Sequence, residues 1–163
     1  MIIEHEIVTN GFRVELKDGI IINRYSHVCA GAEIGGNTMI GQGCFIAATA
    51  KIGSNTRIQN GCNIWNGVEI GNNVFVGPQV VFTNHHDPSH RLRGEAFEAE
   101  KTIIKDNATI CAGAVLVAPC EVGEYGFVAA GSTLLRDVEP KEKVYGLVKK
   151  LKFIGQWWRN PSA

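Results

Sequence analysis

From Ile22 onward every sixth residue is apolar: Ile22, Val28, Ile34, Ile40, Ile46, Ile52, Ile58, Ile64, Ile70, Val76 and Phe82, with Leu16 one step earlier. After an interruption the rhythm returns in a new phase at Ile104, Ile110, Leu116, Val122, Val128 and Leu134. Four places after these residues comes a small or β-branched one. The series runs Ser26, Ala32, Thr38, Cys44, Ala50, Thr56, Cys62, Val68, Val74 and Val80, then Ala108, Ala114, Cys120, Gly126, Ser132 and Val138. A period of six suits neither an amphipathic helix nor the two-residue alternation of a flat sheet. It suits a solenoid of very short strands, each sending one aliphatic side chain inward before the chain turns. Three such hexads form a coil of eighteen residues, and stacked coils bury a continuous aliphatic column inside a triangular prism.

The corners of such a prism need special residues. Gly35, Gly41, Gly53, Gly71, Gly77 and Gly123 directly follow the aliphatic residue, and Asn37, Asn55, Asn73 and Asn107 come three places after it. Both types accept the positive φ expected at repeated tight corners. Of the five cysteines, Cys44, Cys62 and Cys120 fill the small-residue slot as compact hydrophobes. Cys29 and Cys111 complete an odd set with no CxxC spacing, so reduced thiols are expected.

Length and charge restrict the function classes. A chain of 163 residues suits a single domain. Sixteen basic and sixteen acidic residues cancel, which leaves no global field for nucleic acid or an anionic membrane. The opening MIIEHEIVTNGF carries Glu4 and Glu6 within its apolar stretch, unlike a signal peptide, and no apolar run is long enough to span a bilayer. A cytoplasmic protein is expected.

The interruption is the informative irregularity. The next in-phase position after Phe82 is Pro88, and regular repeats resume at Ile104, so sixteen residues are inserted. PSHRLRGEAFEAEKTI is too polar for another coil and is expected to project sideways as a loop from one corner. His86 falls where the repeat calls for a small residue, and Asp87-Pro88 favours a chain that has already left the coil. Asn84, His85 and His86 therefore form a rim between a rigid solenoid and its cover, a suitable place for reacting groups. The expected division is a hairpin or cap at 1–15 with a turn at Asn10-Gly11, coils at 16–87, a projecting loop at 88–103, coils at 104–139 and a tail at 140–163. Within the tail, Leu147, Leu151, Ile154 and Trp158 have helical spacing, which predicts a short helix covering the open end of the solenoid.

IGGNTMIGQGCF, IGSNTRIQNGCNIWNGVEIGNNVFVGP and IIKDNATICAGAVLVAPCEVGEYGFVAAGSTLLRDV resemble the hexapeptide-repeat acyltransferases across about residues 16–146. The resemblance implies an all-β, left-handed parallel β-helix. VFTN before a projecting loop, with RYSHVCAGAEIG upstream, is similar to the bacterial N-acetyltransferases that modify nucleotide-linked amino sugars. That subgroup implies acetyl-CoA as co-substrate and a dTDP- or UDP-linked amino sugar, with a 3-amino-deoxyhexose for surface polysaccharide as the expected acceptor. It also implies a homotrimer with sites between subunits. The residue matching Asn84 faces the sugar amine there. Maltose- and galactoside-type acetyltransferases instead place a general-base histidine at the start of the loop, matching His85 or His86.

Acetyl transfer to an amine requires a free nitrogen lone pair, a donor for the developing oxyanion and a leaving thiolate. A histidine is one acceptor for the amine proton. In the other arrangement Asn84 orients the amine and the departing thiolate takes the proton. By resemblance, the pantetheine arm contacts main chain at Ala112, Gly113, Ala130 and Gly131. Arg91 and Arg93 are candidates for the sugar-nucleotide phosphates, and Lys149 and Lys150 for those of the coenzyme. No metal is expected. Three other functions fit such a scaffold: sugar O-acetylation with a histidine base, a γ-type carbonic anhydrase, and a non-catalytic solenoid used for binding.

Overall fold

The computed structural model describes residues 1–85 and 98–149. These residues form a left-handed parallel β-helix of two-residue and three-residue strands gathered into three sheets. One five-stranded sheet contains Glu33–Ile34, Lys51–Ile52, Val68–Ile70, Thr102–Ile104 and Cys120–Val122, and we call it the charged sheet. An eight-stranded aromatic sheet runs from Ile7–Val8 through His27–Val28, Phe45–Ile46, Asn63–Ile64, Val81–Phe82, Val115–Leu116 and Thr133–Leu134 to Leu147–Val148. The third sheet, also eight-stranded, comprises Val14–Glu15, Ile21–Ile22, Met39–Ile40, Arg57–Ile58, Phe75–Val76, Thr109–Ile110, Phe127–Val128 and Lys143–Val144.

Like stacks on like. Ile34 pairs with Ile52, Ile46 with Ile64 and Ile40 with Ile58, each one coil of eighteen residues further on. The inward aliphatic residues of the rhythm from Ile22 to Leu134 are all buried, and most are fully inaccessible. Their burial is the main source of cohesion, at roughly 1.5–3 kcal/mol for each side chain fully removed from water. The small-residue slots are buried as well, including Ser26, Thr38, Thr56 and Ser132. Polar side chains are tolerated there because the next coil presents a corner carbonyl. Thr38 Oγ1 donates to Gly53 O at 2.7 Å, Thr56 Oγ1 to Gly71 O at 2.8 Å, and the thiol of Cys62 to Gly77 O at 3.2 Å. Among the described residues no buried side-chain N or O atom lacks a partner.

The corners divide the work between asparagine and glycine differently from the sequence expectation. Asn37, Asn55, Asn73 and Asn107 do adopt positive φ, between 55° and 62°. The glycines that directly follow the aliphatic residue do not have positive φ. Their role is close approach between coils: a Cβ on Gly41 would lie 2.6 Å from the Gln59 carbonyl carbon, and one on Gly53 2.5 Å from that of Gly71. Other corners hold bulky residues in the left-handed region, among them Tyr25 at φ 58° and Tyr125 at φ 59°.

At the N-terminal end the first two strands lie on the first coil and not in a hairpin. Ile7–Val8 and Val14–Glu15 do not pair with each other across Asn10-Gly11. The first lies antiparallel to His27–Val28 in the aromatic sheet, and the second antiparallel to Ile21–Ile22 in the third sheet. Each thereby covers an exposed edge of the first coil, whose unpaired N–H and C=O groups favour an added strand. At the other end, the solenoid continues past residue 139. Lys143–Val144 and Leu147–Val148 extend two of the sheets, with Val144 and Val148 buried. Leu147 thus lies in a strand and not on a helix; Leu151, Ile154 and Trp158 fall outside the described residues.

Candidate functional site

The interruption occurs at a corner. The chain leaves the aromatic sheet after Val81–Phe82 and re-enters as Thr102–Ile104 in the charged sheet, with Ile104 paired to Ile70. In the regular coils, residues eighteen apart are paired; here the separation is thirty-four, sixteen more than a regular coil. Thr102 takes the buried slot that His86 would fill in an unbroken repeat, lying between Val68 and Cys120.

The neck of the loop is tied by two contacts. The Glu100 N–H donates to Asn84 O at 2.9 Å, and the Ala118 N–H donates to Thr83 Oγ1, also at 2.9 Å. Re-entry brings Glu100 over Gly67, where a Cβ would stand 2.8 Å from the Glu100 carbonyl oxygen. Gly67 sits at φ +85°, so the absent side chain serves both corner and neck. Asn84 and His85 are half-buried on this rim. His86, Arg91 and Arg93 lie outside the described residues.

Trp65 is a neighbour that periodicity did not single out. Asn63 pairs with Val81, so Trp65, two residues on, stands one coil from Thr83 at the base of the neck. Its indole is 37% exposed, and its other side packs on Phe45 with ring centroids 5.3 Å apart. A Trp directly after the inward Ile64 was the available signal, but the six-residue rhythm marks only inward positions.

Ala112, Gly113, Ala130 and Gly131 occupy a different edge, between the third and aromatic sheets, and all four are exposed. The Gly113 N–H donates to Pro78 O at 3.0 Å and the Gly131 N–H to Ala112 O at 2.9 Å. Their neighbours are placed otherwise. At three earlier positions, Gln42, Ser54 and Asn72, the second residue after the aliphatic one has its N–H closed by a side chain from the next coil, whereas Asn60 lies beneath Pro78, which cannot close it. Asn60 Oδ1 accepts from the Gln42 N–H at 2.9 Å, and Asp106 Oδ1 from the Asn72 N–H at 2.7 Å. These amide donors hold the Asp106 carboxyl below its ordinary range. Over Ala112 the corresponding residue is Ala130, whose methyl group cannot accept. No side chain of the next coil therefore closes the Ala112 N–H.

Lys149 is half-buried directly after the last strand, and Lys150 lies outside the described residues. The site called for by the sequence is thus split. Asn84 and His85 are together, Ala112 and Ala130 are together, and the aromatic sheet separates the two pairs. Cys44, Cys62 and Cys120 are buried in the core, where burial pushes Cys62 and Cys120 up to about 11 and also raises Cys44.

Comparisons with known proteins agree with this architecture. Residues 49–84 match the family model described as bacterial transferase hexapeptide (six repeats). The bifunctional protein GlmU of Shouchella clausii is 35% identical over 121 residues, which cover 74% of this chain and 24% of GlmU. The chain therefore spans about a quarter of the length of that relative. Among solved structures, PerB from Caulobacter crescentus, in complex with CoA and GDP-perosamine, superposes with a TM-score of 0.64 at 19% identity, covering 82% of this chain and 55% of PerB. AntD, an N-acyltransferase from Bacillus cereus in complex with dTDP and 3-hydroxybutyryl-CoA, gives a TM-score of 0.61 at 16% identity, covering 76% of this chain and 73% of AntD. These structural likenesses establish a shared fold. The matched repeats and the stacked eighteen-residue coils thus agree on one architecture, that of the bacterial transferase hexapeptide repeat.

Proposed function

We propose that the protein is an acetyl-CoA-dependent N-acetyltransferase acting on a nucleotide-linked amino sugar, with a 3-amino-deoxyhexose as the preferred acceptor class and surface polysaccharide as its destination. The observation that carries this reading is the thirty-four-residue step that leaves the coils at Asn84 and His85. It puts a polar rim one coil from a partly exposed indole, at the point where the sequence carries a long insertion. Asn84 orients the acceptor amine, while His85, His86 or the departing thiolate takes its proton. The open Ala112 N–H fits a pantetheine carbonyl. PerB and AntD, which share the fold, bind a nucleotide sugar and a nucleotide respectively, each with a coenzyme A species.

The separation of the two half-sites supports a homotrimer. An edge carrying Asn84 on one prism, set against an edge carrying Ala112 and Ala130 on its neighbour, completes a groove that neither chain forms alone. The outward residues are distributed accordingly. On the charged sheet Lys51 pairs with Glu33 at 3.5 Å, and Lys101 and Lys105 reach Glu69 and Glu121 at 3.6 Å, which suits a water-facing surface. The aromatic and third sheets expose Trp65, Val81, Leu135, Leu147 and Phe75, apolar area that association would cover.

The test is thiol release from acetyl-CoA across a panel of dTDP-, UDP- and GDP-linked amino sugars, with simple sugars as controls. Acetylation of a nucleotide-linked amine supports the reading; turnover with free sugars alone replaces it with O-acetylation by a histidine base. Hydration of carbon dioxide, or the absence of any turnover, points to the carbonic anhydrase or the binding scaffold.

A further inference from the structure

We propose that Glu6, His27 and Cys29 form a binding site for a zinc-type divalent cation on the outer face of the first coil, where it fastens the N-terminal strand to the solenoid. Three different donors converge there from two hydrogen-bonded strands. Ile7 pairs with Val28 and Val8 with His27 in antiparallel register, so Glu6 comes opposite Cys29. His27 and Cys29, two residues apart on an extended strand, share one face. One ligand atom from each of Glu6, His27 and Cys29 lies within 4.8 Å of the other two. His27 Nε2 is 3.6 Å from Glu6 Oε2 and 3.9 Å from Cys29 Sγ.

Donors around a tetrahedral zinc with bonds of about 2.0–2.3 Å stand roughly 3.3–3.8 Å apart. The set therefore closes with small rotations of side chains that are exposed at Glu6 and half-buried at His27 and Cys29. Its composition selects the ion: thiolate, imidazole and carboxylate suit zinc, whereas magnesium and calcium prefer sites built of oxygen alone. Three protein ligands leave a fourth position for water. The imidazole is already oriented, since its ring meets Phe45 edge-on at 5.3 Å and 86°. On binding, the metal–sulfur bond forms as the S–H bond of Cys29 breaks, and the thiol proton leaves to solvent.

This cluster is separate from the rim of the loop. His27–Val28 and Val81–Phe82 are three strand steps apart in the aromatic sheet, roughly 14 Å at about 4.8 Å per step. Within one chain the cation therefore lies apart from Asn84 and His85, and its existence does not depend on the proposed function.

The experiment uses tag-free, full-length protein stripped with a chelator. Zinc(II) is titrated against a chromophoric competitor, and cobalt(II) is added as a spectroscopic probe. The expected result is one equivalent bound, a near-ultraviolet thiolate-to-cobalt band, weaker binding at lower pH, and a rise in thermal midpoint with zinc. Cys29→Ser is expected to abolish the band, and His27→Gln and Glu6→Gln each to weaken zinc binding by about tenfold or more. These variants should keep the metal-free protein's midpoint, and a double His85→Ala, His86→Ala variant should still bind. Lack of uptake, a cobalt spectrum without the thiolate band, or loss of binding in the double variant but not in Cys29→Ser would overturn the proposal.

Discussion

Asn84 and His85 owe their position to where the chain leaves a sheet, and their side chains add nothing to the core. Replacing Asn84 with Ala is therefore expected to lower kcat/KM for the amino sugar on the order of a hundredfold while leaving the thermal midpoint in place. Single His85→Ala and His86→Ala variants distinguish the proton acceptors: unchanged turnover in both assigns the proton to the thiolate. A second prediction concerns acid stability. Arg136 grips Glu142 with two hydrogen bonds at 2.7 and 3.0 Å, and the Glu139 N–H adds a third at 2.9 Å. The Arg136 hydrogen bond and then the Glu139 amide pull the Glu142 carboxyl from 4.5 down to about 2. A depressed carboxyl contributes stability above its ordinary value, and this is lost as pH falls from about 4.5 toward 2. Glu142→Gln should thus lower the melting midpoint at neutral pH, with the deficit shrinking through that window. The edge at Asn84 and His85 was legible in the sequence because Phe82 is the last inward residue before the gap. The Arg136–Glu142 grip was invisible to it, since the two belong to an irregular corner that no hexad describes.

At the scale of the repeated corner, side-chain loss and backbone shape can be separated by experiment. Pro78 occupies the same place in its coil as Ala112 does in the next, since Val76 pairs with Ile110. Ala112→Pro therefore removes one N–H while keeping a backbone that accepts proline. Its expected effect is a rise of about tenfold in KM for acetyl-CoA, with little change in kcat or in melting; an unchanged KM removes the Ala112 N–H from coenzyme binding. Gly41 makes the opposite demand. The Gly41→Ala methyl would run into the Gln59–Asn60 backbone, and calorimetry should register a clear loss of stability. Glycine at this place was legible in the sequence, but its reason was not. The distance between coils is a property of the stack, whereas the expectation of positive φ considered the corner alone.

For the whole molecule, association and core cohesion are the measurable consequences. Sedimentation equilibrium should give three times the chain mass, and a charge at Leu135, 49% exposed on the aromatic sheet, should shift it toward one. Within a prism, Ile58→Ala should cost about 2–5 kcal/mol, because Ile58 is fully inaccessible and stacked between Ile40 and Val76. The inward residues could be named from periodicity because each coil repeats the same surroundings, so local spacing already encodes long-range contact. Convergences that break the repeat had no such code. Glu6 reaches Cys29 only because a stray strand covers the first coil in antiparallel register, and Glu100 meets Asn84 only because the insertion re-enters over Gly67. Docking at free edges depends on the assembled stack, and so it emerged only from the folded chain.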